Sequence, residues 1–133
     1  MKPTRLFEIE PRMPVASLAA AYAFYVGVLG FHSDGGAPRD DAVFVILERD
    51  GVKLQLIAAD SHHPLGKLTL WCGVEDAAAE HQRISSLAPI EWGPEVYWYG
   101  CREFAVLDPD GHRIIFSSPT SETSNFPAPV KTS

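Results

Sequence analysis

Apolar and polar residues alternate loosely from Leu6 to Met13, with Phe7 and Ile9 on one side and Glu8, Glu10 and Arg12 on the other, which predicts a strand with one buried face. Ser17 then stands where an N-cap would, ahead of a helix running to about Leu29. Tyr22, Phe24, Tyr25, Val28 and Leu29 form its apolar side and Gly30 its stop. Two apolar runs follow, Ala42 to Leu47 and Val52 to Ala58, and the Asp50-Gly51 pair between them predicts a hairpin. The order then begins again. Leu68 to Val74 reads as a strand, Glu75 to Leu87 as an Ala-rich helix, Trp92 to Gly100 as an aromatic loop. Cys101 to Leu107 and Arg113 to Phe116 are two further strands joined by Asp108-Pro109-Asp110-Gly111. The two Asp-Gly turns lie 60 residues apart, which points to a duplicated half of strand, helix and strands rather than a solenoid. Residues 119–133, rich in Pro, Ser and Thr with Phe126 and Val130 as the large apolar residues, read as a tail outside the core.

At 133 residues the chain has the length of a single domain, predicted over 1–118 with modules of about 5–60 and 67–118. A hydrophobic fraction of 46% against 21% charged excludes disorder as the main state. Lys and Arg number 11 against 17 Asp and Glu, a net charge of −6, so nucleic acid is excluded as a partner and cationic ligands are favoured. Cys72 and Cys101 lie in apolar runs and are expected to be reduced. The first twelve residues carry charges and no apolar core of a signal, which predicts a cytoplasmic protein. Met13 to Ser33 lacks Asp, Glu, Lys and Arg, yet its alanines, glycines and Pro14 give it too little hydropathy for a membrane span.

The helix end Phe24-Tyr25-x-x-x-Leu29-Gly30-Phe31, together with Arg102-Glu103-Phe104-Ala105-Val106-x-Asp108-Pro109-Asp110-Gly111, resembles the vicinal oxygen chelate superfamily of glyoxalases, bleomycin resistance proteins and dioxygenases. Gly100 to Phe116 most resembles the bleomycin resistance branch. The resemblance implies an α+β fold in which two βαβββ modules form a cup-shaped sheet with helices on the outer face, and a homodimer with ligands in the cups or at the interface. It also implies that enzymes of the family hold a divalent metal with four side chains drawn from His, Glu and Gln. Counted along the family pattern, those positions hold Glu10, Gln55, Thr69 and Ile115 here. Thr69 is a poor donor and an isoleucine is none, so no metal and no cofactor is expected. A register shifted by one residue would bring in Glu8 or Glu103.

Period two sends Glu103, Ala105, Leu107, Arg113, Ile115 and Ser117 into the cup, with Thr69 and Trp71 beside them. In the first half it sends Glu8, Glu10, Val43, Val45, Lys53, Gln55 and Ile57 there. Glu10 reads as a solvated strand residue, a partner for Arg12 or Arg113, or a ligand contact. Trp92, Tyr97, Trp98 and Tyr99 crowd nine residues where a surface loop is usually polar, which suits a wall for a flat ligand or a dimer interface equally. The candidate ligand-binding residues are thus Glu10, Gln55, Trp71, Trp92, Tyr97, Trp98, Tyr99 and Glu103. His62 and His63 read as an exposed loop, and His32, His81 and His112 stand alone. No catalytic triad spacing or phosphate-cradling glycine loop is present. The expected activity is sequestration, without metal, of an aromatic antibiotic or metabolite, cationic or neutral, the alternative being a divalent-metal-dependent lyase, isomerase or dioxygenase.

Overall fold

The computed structural model describes residues 1–126, 128 and 129. The chain is α+β and divides into two compact units, Met1–Gly66 and Lys67–Ser133.

The first unit contains β1 (Arg12–Val15), α1 (Leu18–Gly27), β2 (Phe44–Arg49) and β3 (Val52–Ala58), with the sheet ordered β1-β3-β2. Asp50 (φ 52°) and Gly51 (φ 80°) both take the left-handed conformation, as a two-residue hairpin turn requires, and this carries β2 to Arg49, two residues beyond expectation. The Ser17 hydroxyl caps α1 by accepting from the Ala20 N–H at 3.1 Å. Leu18, Ala21 and Tyr25 recur at helical spacing and pack with Met13, Val15, Leu47, Leu54 and Leu56 in the unit's core.

The first strand begins six residues later than its alternation suggests. Leu6, Phe7 and Ile9 are exposed, whereas Met13 and Val15 are fully buried. The two pairs look alike in sequence, but only the second is brought beside Leu56 and Ala58 by the parallel pairing of β1 on β3. The family pattern implies four strands here. Three form, and the fourth is reduced to one bridge between His32 and Glu48, because the following segment, Ser33 to Pro38, holds Gly35, Gly36 and Pro38 and no β-branched residue.

The second unit has β4 (Thr69–Gly73), α2 (Ala77–Ser85), β5 (Trp92–Tyr97), β6 (Cys101–Leu107) and β7 (Arg113–Pro119), ordered β4-β7-β6-β5. One sheet face carries Phe104, Val106, Ile114 and Phe116 against Ala77 and Ile84 of α2. Phe104 stacks on Phe116 at 5.3 Å and takes the edge of His81 at the same distance. The turn before β7 is built by Asp108, whose carboxylate accepts from the N–H groups of Asp110 and His112, with Gly111 at φ 83°. His112 is fully buried, and its Nδ1 accepts from the Leu68 N–H.

Most of the expected aromatic loop is strand. Trp92 to Tyr97 forms the edge strand β5, with a register irregularity between Trp92 and Glu95 that accommodates Pro94. Gly93 (φ 85°) lies so close to β6 that a Cβ would stand 2.4 Å from the Glu103 carbonyl oxygen. The tail then runs along the outer edge of β5. Ser124 and Asn125 both donate to the Val96 carbonyl, at 3.0 and 3.1 Å, and Phe126 bridges to Tyr97. Val130 lies outside the described residues. Among the described residues no helix is long and apolar enough to cross a membrane, and the span weighed over Met13 to Ser33 is a strand, a ten-residue helix and a bend.

Candidate ligand-binding site

The second sheet face of the Lys67–Ser133 unit carries its chemistry in rows set by register. Gly73, Ser117, Glu103 and Glu95 align across the four strands, and Trp71, Ile115, Ala105 and Trp92 form the next row. With Phe104, Val106, Ile114 and Phe116 buried on the helix side, the register sets Glu103, Ala105, Leu107, Arg113, Ile115 and Ser117 together on this face, the phase expected for them.

Glu103 is only 3% exposed. One carboxylate oxygen accepts from the Trp71 indole N–H at 2.9 Å and the other from the Tyr99 hydroxyl. Rings extend outward from this pair. Tyr99 stacks on Tyr97 at 5.7 Å with 8° between planes, and Trp98 meets Tyr99 edge-on at 5.3 Å. Tyr97 takes the edge of Trp92 at 5.9 Å and stacks on Phe126 at 5.1 Å. Trp71 on β4, and Trp98 and Tyr99 in the turn between β5 and β6, remain 60%, 51% and 47% exposed, an unusual amount of open aromatic surface. Phe126, part of the expected non-core tail, joins this array, and nothing in the tail's composition signals that.

The carboxylates act on the phenols. Burial, a hydrogen bond to Glu95 and the charges of Glu95 and Glu103 push Tyr97 up to about 12, and burial followed by the bond to Glu103 and its charge raises Tyr99 further. A raised phenol keeps its proton in the folded state after the unfolded chain has lost it, so this contribution is complete below pH 10 and falls away as pH rises towards 12. Subtracting the alkaline absorbance titration of Tyr99→Phe from that of the wild type is expected to give a Tyr99 midpoint above 10, lowered in Glu103→Gln. A midpoint at or below 10 would contradict the pairing.

Glu10 and Gln55 meet in the other unit. Glu10 lies just ahead of β1 and accepts from the Gln55 amide at 3.2 Å, while Arg12 donates to the Gln55 carbonyl at 2.7 Å and lies 5.2 Å from the centre of the Phe44 ring. The Gln55 bond is the main cause holding Glu10 below the usual carboxylate range, and its hydrogen bond with Glu8 raises Glu8. Arg12 thus takes Gln55, and Arg113 binds Glu91 through contacts of 2.6 to 2.9 Å. The phase of β2 is also corrected. Phe44, Ile46 and Glu48 share a face with Lys53, Gln55 and Ile57, and Val43 and Val45 lie on the other. A groove of about 550 Å³ lies between β2 and the His32 to Arg39 segment. Its walls combine Gly35, Gly36, Ala37 and the exposed Phe44 and Ile46 with His32, Asp34, Arg39, Glu48 and Lys53.

Cys72 and Cys101 are not joined in a disulfide, and register puts them on opposite faces of the sheet. His62 is exposed and His63 half-buried, both donating to Asp60 through their backbone N–H groups.

Residues 7–116 match the model of the Glyoxalase/Bleomycin resistance protein/Dioxygenase superfamily. The chain belongs to that superfamily. No protein of curated function matches it. Three solved structures with the superfamily fold are similar to it over most of their length. An antibiotic binding protein, TnmS3, from Streptomyces sp. CB03234 is 20% identical with a TM-score of 0.73, covering 89% of this chain and 100% of that one. The bleomycin-binding protein of Streptomyces verticillus, complexed with copper(II)-bleomycin, is 22% identical at 0.63, covering 90% and 100%. Lactoylglutathione lyase from Agrobacterium tumefaciens is 20% identical at 0.67, covering 88% and 95%.

The superfamily's metal centre does not fit the residues present. Of the four positions, Glu10 and Gln55 are bonded to each other, Thr69 pairs in register with Arg113, a cation, and Ile115 has no donor. Glu103 has both oxygens engaged by Trp71 and Tyr99. Among the described residues no three His, Cys, Asp or Glu side chains gather where one ion could hold them.

Proposed function

We propose that this superfamily member is a binding protein of the bleomycin-resistance type, which sequesters an aromatic, cationic antibiotic or metabolite in the cytoplasm as a homodimer and without metal. The observation that carries this is the exposed Trp71, Trp98 and Tyr99 surface gathered on the buried Glu103 carboxylate. Open rings offer a flat ligand a stacking surface, and a nearby carboxylate with a net charge of −6 favours a cation upon it. TnmS3 and the bleomycin-binding protein, which share the fold, bind antibiotics. The competing assignment, a metal-dependent lyase, isomerase or dioxygenase, would need the donor set that Thr69 and Ile115 interrupt.

Calorimetric titration with bleomycin and a panel of planar antibiotics tests the proposal. At least one compound is expected to bind, and Trp98→Ala should weaken it by about 1–3 kcal/mol without changing the fold, as removal of an anchoring aromatic does. No binding across the panel would overturn the proposal. Sedimentation of the free protein at micromolar concentration is expected to show a dimer, and a folded monomer would remove that part.

A further inference from the structure

Ser117 is 1% exposed, and its hydroxyl has no hydrogen-bond partner. It stands between Gly73 of β4 and Glu103 of β6 in the register, on the ring-bearing face. The Trp71 ring lies against Gly73, 3.6 Å from where a Cβ would be, and its indole N–H reaches Glu103 across β7. Ser117 is therefore roofed by an indole that is itself 60% exposed. Buried hydroxyls are nearly always paired, so an unpaired one beside a buried carboxylate marks a place where a polar partner is missing.

We propose that Glu103 and Ser117 form the polar floor of the ligand site beneath Trp71, and that the floor takes a planar aromatic molecule bearing a protonated amine or amidine. This rests on the binding function proposed above and names its ligand class. A carboxylate can accept about four hydrogen bonds and Glu103 uses two, both from side chains that solvent can take back. An ammonium or amidinium brings several N–H donors, enough to reach Glu103 and Ser117 together, while its ring system stacks against Trp71 and Tyr99. A neutral ligand offering only acceptors would meet the carboxylate without a donor and leave Ser117 as it is.

Titration with proflavine, a planar cation carrying two amines, and with acridine, the same ring system uncharged at neutral pH, separates the possibilities. Wild-type protein is expected to bind proflavine at least about tenfold more tightly than acridine, the range of a charge-assisted hydrogen bond. Glu103→Gln should bring the two dyes close to equal affinity. Ser117→Ala should weaken proflavine roughly three- to tenfold, leave acridine unchanged, and leave Tm unchanged or raised, because it removes an unpaired buried hydroxyl. Equal dye affinities in the wild type, or proflavine binding untouched by Ser117→Ala, would overturn the floor and leave the aromatic site standing. Failure of both dyes to bind would overturn the aromatic site and the floor with it. The wild-type dye pair and Ser117→Ala decide the matter even where Glu103→Gln does not fold.

Discussion

Gly93→Ala is expected to destabilise the protein by about 3 kcal/mol or more. Two costs add at this position. An alanine at φ 85° carries backbone strain of roughly 1–3 kcal/mol. Its Cβ would also stand 2.4 Å from the Glu103 carbonyl oxygen and 2.9 Å from the Phe104 Cα, backbone atoms that cannot swing aside, and overpacking of this kind costs roughly another 1–3 kcal/mol. Relief comes only by moving β5 off β6, which would also carry Trp92 and Tyr97 away from Glu103. Urea unfolding followed by tryptophan fluorescence, with near-ultraviolet circular dichroism of the native state, measures both consequences. An unchanged midpoint with an unchanged aromatic spectrum would show that β5 does not approach β6 this closely.

Phe104→Ala is expected to cost about 3–5 kcal/mol, the usual range for deleting a fully buried aromatic ring. The ring lies on the opposite face of β6 from Glu103 and fills the space between Phe116 and His81. Its loss opens a cavity directly behind the strand that positions the carboxylate. Phe104→Leu restores most of the volume and should recover more than half of the loss, whereas equal costs for the two variants would point to the ring contacts rather than the cavity. The same urea titration gives the values.

The elements that were legible in the sequence are those whose causes are local. Ser17 caps α1, Asp50-Gly51 closes the first hairpin, and Asp108 with Gly111 builds the turn before β7, each through atoms within a few residues of one another. The sequence pattern does not locate β1, because Phe7-Ile9 and Met13-Val15 alternate alike and the choice between them is made by β3, some forty residues away. β5 is hidden in the sequence because Gly93-Pro94 carries the composition of a loop, and only an edge position lets a strand tolerate it. The phase of β2 was unreadable for a different reason. From Val43 to Leu47 every residue is apolar, so period two has nothing to distinguish. On β6 and β7, polar Glu103, Arg113 and Ser117 interleave with Phe104, Ile114 and Phe116, and the face that gathers the rings follows directly. What the pattern could place on that face it could not connect. The bonds from Trp71 and Tyr99 to Glu103, and the unpaired hydroxyl of Ser117, depend on side chains meeting across three strands.

The strapping of Ser124, Asn125 and Phe126 along β5 bears on how such a surface persists in a crowded cell. An edge strand rich in tryptophan and tyrosine is a template for sheet-to-sheet aggregation, since its outward backbone groups are free to pair with any extended chain. Here the outward carbonyl of Val96 is already occupied twice, and Tyr97 is bridged by Phe126, from within the same chain. The tail thereby takes up the outward pairing of this stretch of β5 at Val96 and Tyr97 while Trp98 and Tyr99 beside it stay exposed.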